Sequence, residues 1–286
     1  MQRGQDPRKD GMNKRTLLAA ASALSLLILP VLILVRVVSS LPDIRALEQV
    51  AAGDSDIPVK SMGGELLYEY HSPAYGEKKA VQLSEISDEL IALTITTEDS
   101  RFFVNPGFSP AAILRAIFQN LIMRRTFSGA STITQQVVKN ILLPPDERYD
   151  RSLSRKAKEI LLAAVITARY DKEMILSVYL NEIYYGRNAT GVEKAAELYF
   201  GKRADELSLS EAAFIAGLPQ APNYYGYDLS AGRSRQKEVL RIFERIVEEE
   251  HCIALGSGIP SRVYCPDIEE IRNARRQELQ FSMPYQ

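Results

Sequence analysis

Residues 17–35 read LLAAASALSLLILPVLILV, 19 residues with no charge. At 1.5 Å per residue a helix of this length reaches roughly 28 Å, about one hydrocarbon thickness, so this stretch predicts a transmembrane helix. Arg3, Arg8, Lys9, Lys14 and Arg15 precede it, against Asp6 and Asp10, and Arg36 is the only basic residue close behind it. That bias predicts a cytoplasmic tail at 1–16 and about 250 residues outside, in an extracytoplasmic space. Pro30 is compatible with a spanning helix. A cleaved signal peptide is the rival, but the run exceeds an ordinary h-region and no clear A-x-A site follows.

The 286 residues carry a formal net charge of −1, which gives no support to nucleic-acid binding. With two cysteines and two histidines, no Cys/His zinc cluster of ordinary spacing can form. A cysteine–histidine nucleophile pair would need His71 or His251, and neither has a recognisable setting. Cys252 and Cys265 could pair in an oxidising space or remain two thiols.

Beyond a linker at 36–56, the pattern is helical after a strand-like opening. Gly63-Gly64 between short extended runs at 57–70 predicts a hairpin. Ile86, Leu90 and Leu93 share one helical face. Ser109-Pro110 reads as an N-cap with proline at the first helical position, followed by a stripe of Ile113, Ile117 and Leu121. Further helices are expected at 153–169, at 171–185 stopped by Gly186, and in a short element ending at Gly201. Ser208 and Glu211 form a capping box for a helix ending near Gly217. Val239, Ile242, Phe243, Ile246 and Val247 mark a last amphipathic helix. Within it, S-x-x-K at 234–237 has no K-T-G or other partner of a nucleophilic serine and reads as chance.

Chemistry-bearing residues fall in three clusters. Glu98-Asp99-Ser100-Arg101-Phe102-Phe103 closes an apolar helix, where a carboxylate can be partly desolvated towards the range of a general base; alone, an acidic pair there is usually solvated surface. The string GASTITQQVVKN at 129–140 offers small residues, hydroxyls and amides at a helix start, or simply a Ser/Thr cap. In 151–159, RSLSRKAKE, Arg155 and Glu159 are i,i+4 neighbours. They make either an ordinary surface ion pair or, with Lys139 and Arg151, a positive cradle for a diphosphate.

Taken together, EDSRFF, GASTITQQVVKN and RKAKE resemble the signature motifs of the bacterial peptidoglycan glycosyltransferases. These are the family-51 transglycosylase modules of class A penicillin-binding proteins and of monofunctional transglycosylases. KEMILSVYLNEIYYG at 172–186, AAELYFGK at 195–202 and LSLSEAAFIAGLPQAPNYY at 207–225 follow in the family's order, and the resemblance covers 57–225. It implies a mainly α, lysozyme-like glycosyltransferase domain with a small β-hairpin and an N-terminal transmembrane helix. Residues 226–286 are left as a C-terminal helix and tail without an assigned role.

The implied reaction is polymerisation of lipid II into β-1,4-linked glycan strands, with release of undecaprenyl diphosphate. Glu98 matches the general base and Glu159 the second glutamate. Ser131, Thr132, Gln135, Gln136, Lys139, Arg151, Arg155, Lys156 and Lys158 match the donor-binding set. Asp99, Phe102, Asn105, Gly107 and Asn181 match supporting positions. No cofactor is required by this reading, although Mg²⁺ or Mn²⁺ could assist the leaving diphosphate, and no all-protein metal cage is visible. Expected partners are lipid II, the growing strand, the membrane and other wall-synthesis proteins. The apolar residues at 118–123, beside Arg124-Arg125, could form an interfacial jaw or ordinary core. A glycan-cleaving lytic transglycosylase of related fold and a degenerate scaffold are the alternatives.

Two positions depart from the family pattern. Asn105 stands where a histidine is usual, and it can hydrogen-bond but not titrate near neutrality. Ala130 stands where a second glycine is usual.

Overall fold

The computed structural model describes residues 42–52, 56–71, 80–113, 115, 131–150, 152–258 and 262–282. The expected transmembrane helix, the jaw residues, Arg151 and Ala130 lie outside them. No helix among the described residues is long and apolar enough to cross a membrane.

After α1 (Ala46–Ala52), strands β1 (Asp56–Lys60) and β2 (Leu66–His71) pair antiparallel as the expected hairpin. Ile57 and Val59 turn into the core while Pro58 and Lys60 face out, the period-two pattern of a half-buried strand. A 3₁₀ turn at Leu83–Glu85 leads into α2 (Asp88–Glu98), which is capped by Ser87 through the Leu90 amide. The sequence gives α2 one apolar face, but it is buried nearly all round. Packed against α7 (Leu209–Gly217) and α9 (Leu229–Glu250), it must also bury Ile91, Ala92, Thr94, Ile95 and Thr96. Glu98 therefore ends a helix that is buried on nearly every side.

Thr132 caps the short α3 (Ile133–Val137), which runs into a π-helical turn at Val138–Leu142. Next come α4 (Leu153–Arg169) with the expected bounds, and α5 (Lys172–Glu182), shorter than expected. Ile183 adopts extended backbone, and Tyr184 bridges to Thr190. Gly186, at φ +87°, thus serves the turn between those two residues rather than stopping the helix. Then α6 (Val192–Phe200) ends at a left-handed Gly201, and the Ser208–Glu211 capping box opens α7, both as expected.

A second 3₁₀ turn (Leu218–Gln220) and α8 (Pro222–Tyr227) lead to α9. Ser234 sits inside α9, its hydroxyl donating to the Ser230 carbonyl, as the chance reading of S-x-x-K requires. The helix at 229–250 is not the last. Strands β3 (Ile253–Ala254) and β4 (Val263–Tyr264) follow it, joined by a Cys252–Cys265 disulfide, and then α10 (Ile268–Arg276). Val239, Leu240, Phe243, Val247, Ile253, Ile271 and Leu279 belong to the same core as the rest, so that core continues past residue 225.

Candidate active site

The segment 99–107 leaves α2 as a string of turns, and its shape is fixed by side chains. Asn105 donates from Nδ2 to both Asp99 carboxylate oxygens at 2.9 Å, and its Oδ1 accepts from the Gly107 amide at 2.9 Å. The buried Lys172, at the start of α5, donates to the same Oδ1 at 3.1 Å and lies 4.6 Å from the Phe102 ring centroid. Asp99 also accepts from the Ile133 amide at 3.3 Å. Gly107, at φ +92°, is pressed onto α4: a Cβ there would sit 2.3 Å from the Ala163 carbonyl oxygen, one turn beyond Glu159.

Glu98 projects from this frame and accepts from Gln136 Nε2 at 2.6 Å. Burial pushes its carboxyl above the ordinary carboxylate value; the Gln136 bond and the Arg235 charge oppose that shift, and the Asp99 charge adds to it. Asp99 is raised by burial too, against its bonds from Asn105 and Ile133 and the Lys172 charge. Glu98, Asp99, Asn105, Arg115, Ser131 and Thr132 line one cleft of about 540 Å³.

The second carboxylate has the opposite setting. Glu159, with 2% of its surface exposed, is held by Arg155 at 2.7 Å and by Lys156. Lys156 also donates to Ser131 Oγ at 2.9 Å, tying this cluster to the edge of the Glu98 cleft. Lys139 sits in the π-helical turn, a distortion often found at functional sites, 5.5 Å from the Tyr149 ring centroid. Burial lowers its proton affinity, and the Arg155, Lys156 and Arg148 charges lower it further, against Glu159. Among the described residues no group of three or more Asp, Glu, His or Cys is placed to hold a metal ion.

The structure thus brings together Glu98, Asp99, Asn105, Ser131 and Thr132 around the cleft, with Gln136 bonded to Glu98 and with Lys139, Arg155, Lys156 and Glu159 beside it. Several expected residues hold the frame instead. Thr132 and Gln135 are buried and make a capping box, with the Thr132 hydroxyl donating to the Gly107 carbonyl at 2.6 Å. Lys158 pairs with Glu147 at 3.1 Å rather than with Glu159, because adjacent helix positions project about 100° apart. Asn181 clamps the chain at Val81, bonding both its amide and its carbonyl at 3.0 Å. Phe102 is fully buried beneath Lys172.

Sequence reasoning passed over Lys172, Tyr179, Tyr185 and Arg235. Both tyrosine hydroxyls are buried with no hydrogen-bond partner among the described residues, and both tyrosines feel the Glu98 charge. Three of the four lie inside the motif at 172–186, whose repeated tyrosines were the available signal.

The family model described as Transglycosylase matches residues 63–244. The chain is similar to penicillin-binding protein 1A of Escherichia coli (strain K12), 38% identical over 237 residues that cover 80% of this chain and 26% of that protein. It is equally similar to penicillin-binding protein 1A of Aquifex aeolicus (strain VF5), 38% identical over 216 residues, 76% of this chain and 28% of that one. A crystal structure of penicillin-binding protein 1A from Haemophilus influenzae aligns at TM-score 0.38 and 22% identity over 77% of this chain and 20% of that chain, too loosely to carry an argument. The chain spans about a quarter of the length of the curated relatives it matches. With the family model covering more than half of the sequence, the chain belongs to the transglycosylase family, the peptidoglycan glycosyltransferases that its motifs resemble.

Proposed function

We propose that this domain polymerises lipid II into β-1,4-linked peptidoglycan glycan strands, inverting at the donor anomeric carbon. The observation that carries the reading is the segment 131–139, which contacts Glu98 directly and reaches Glu159 through Lys156. Gln136 binds Glu98, Ser131 binds the Lys156 that holds Glu159, and Lys139 follows in the π-helical turn. Glu98 lines the cleft as a desolvated proton acceptor, and the cations beside Glu159 are linked to the edge of that cleft through Ser131.

In this reading Glu98 takes the proton from the acceptor sugar's 4-hydroxyl as that oxygen bonds to the donor's anomeric carbon. The bond from that carbon to the diphosphate oxygen breaks, and undecaprenyl diphosphate leaves with the electron pair. Going from an α-linked diphosphate to a β-linked product needs one inversion, so a base on the attack side and positive charge on the leaving side suffice. Lys139, Arg155 and Lys156 supply that charge, with Glu159 fixing the last two. Ser131 and Gln136 meet the donor, while Thr132 and Gln135 shape the segment they sit in. The reading keeps the lysozyme-like description of the domain, the anchor at residues 17–35, a periplasmic location and membrane-bound substrates, all on the sequence and the family resemblance.

The test is incubation of the purified protein with lipid II alone, with the wild-type and Glu98→Gln forms in parallel. Polymer from the wild type and its loss in the variant support the proposal. Clearing of preformed glycan without polymerisation supports a lytic enzyme, and an inert wild type supports a scaffold.

A further inference from the structure

Lys172 occupies an unfavourable place. It is buried, and it begins α5, where the helix dipole already presents positive charge. Both effects disfavour an ammonium, and burial lowers its proton affinity to about 8 against the pull of the Asp99 carboxylate. What compensates is specific: the Phe102 ring at 4.6 Å, the Asn105 Oδ1 at 3.1 Å and the charge of Asp99. A side chain that serves only to begin a helix has no need of these partners.

We infer that Lys172 is a positioning residue for Glu98, holding the 99–107 loop through Asn105 and neutralising the neighbouring Asp99 carboxylate. The inference rests on the reading of Glu98 as the proton acceptor. Asn105 is the middle link, since its amide binds Asp99 on one side while its oxygen takes the ammonium and the Gly107 amide on the other. Here the Lys172 ammonium supplies a positive charge that Asn105 itself cannot carry. The amide that links it to Asp99 does not titrate.

The charge consequence is specific as well. Glu98 faces Gln136 from α3, Arg235 from α9, Tyr179 from α5, Tyr185 from the turn after it, and Asp99 beside it. Lys172 faces Asp99, Asn105 and Phe102, while its neighbour Glu173 turns away to the Ser257 hydroxyl at 2.8 Å. Removing the ammonium leaves the Asp99 charge uncompensated next to Glu98. Glu98 then holds its proton to higher pH.

The experiment is the pH–rate profile of lipid II polymerisation by the full chain in detergent micelles, comparing wild type, Lys172→Met, Lys172→Gln and Lys172→Arg. Lys172→Met and Lys172→Gln are expected to displace the acid limb of kcat upward by roughly half to one pH unit, with KM changed less than about twofold. The glutamine variant keeps a donor for Asn105 and covers the case in which methionine does not fold. Lys172→Arg is expected to restore the limb. In an Asp99→Asn background Lys172→Met should add no displacement. A limb that stays put, whether the rate is unchanged or uniformly lowered, overturns the inference, as does failure of arginine to restore it.

A wild type inert on lipid II would instead overturn the reading of function. The positioning claim would then be read from the carbon-13 titration of the Glu98 carboxyl. The same upward displacement in Lys172→Met supports it, and an unmoved midpoint overturns it.

Discussion

Gln136 donates from Nε2 to Glu98 Oε2 at 2.6 Å, so among the described residues the proposed base has one neutral donor and no ion pair holding it. That bond stabilises the anion without neutralising it, and burial works against it. In a Gln136→Leu variant the carboxyl is expected to keep its proton to higher pH, so the acid limb of kcat moves upward. Glu98→Gln removes the base itself and should lower kcat by about 10²- to 10⁴-fold with KM little changed. Steady-state polymerisation of lipid II across pH measures both.

The same burial has a stability consequence. A carboxyl whose folded-state proton affinity is raised contributes stability in full below its unfolded value, near 4.5, and loses it as pH rises through the folded value. Glu98→Gln is therefore expected to melt at a higher temperature than the wild type at pH 7. The gain should shrink as the pH falls below that of an ordinary glutamate. Scanning calorimetry at both pH values gives the comparison, and a destabilised variant at pH 7 would contradict the desolvation argument.

Glu159 presents the opposite case. It is buried between Arg155 and Lys156, and removing one charge strands its partners. Glu159→Gln should cost about 2 kcal/mol in urea unfolding, less than for a fully buried pair because Lys156 can turn to solvent. Lys156→Met should cost less, yet it should raise the KM for lipid II because Ser131 loses its tie to α4.

Two glycines with similar backbone angles are expected to respond very differently to alanine. At Gly64, φ +86° and open space leave only left-handed strain, about 1 kcal/mol. At Gly107 the added methyl also meets the Ala163 carbonyl oxygen at 2.3 Å, so Gly107→Ala should cost about 3 kcal/mol or more. Urea midpoints of the two variants test the ordering.

The Cys252–Cys265 bridge closes a loop of sequence separation 13. Its removal by a double serine substitution should cost about 3 kcal/mol by chain entropy. Because the loop braces the first turns of α2 and α5, through Arg262 to Asp88 and Ser257 to Glu173, hydrogen exchange should rise in those two turns.

What the sequence made legible was local. Caps and stops are written in adjacent residues, which is why the bounds of α4, the Ser208–Glu211 box and the left-handed Gly201 were all readable. The length of α5 was not, because Gly186 looks like a stop while the strand-like bridge of Tyr184 with Thr190 depends on residues beyond the helix. Site roles divided in the same way. Glu98 and Glu159 stand out by motif, but nothing in the string distinguishes Thr132 and Gln135, which cap α3, from Ser131 and Gln136, which bond Lys156 and Glu98. Asn105 read as a weakened histidine. Its place between Asp99 and Lys172 needs two segments 67 residues apart to meet, which no short pattern encodes.

The double engagement of residues 131–139 bears on antibiotic design. A compound that wedged beneath the Thr132 cap and displaced this short stretch would uncouple Gln136 from Glu98 and Ser131 from Lys156 together. One displacement would thus disturb the proposed base and the cation cluster at the same time.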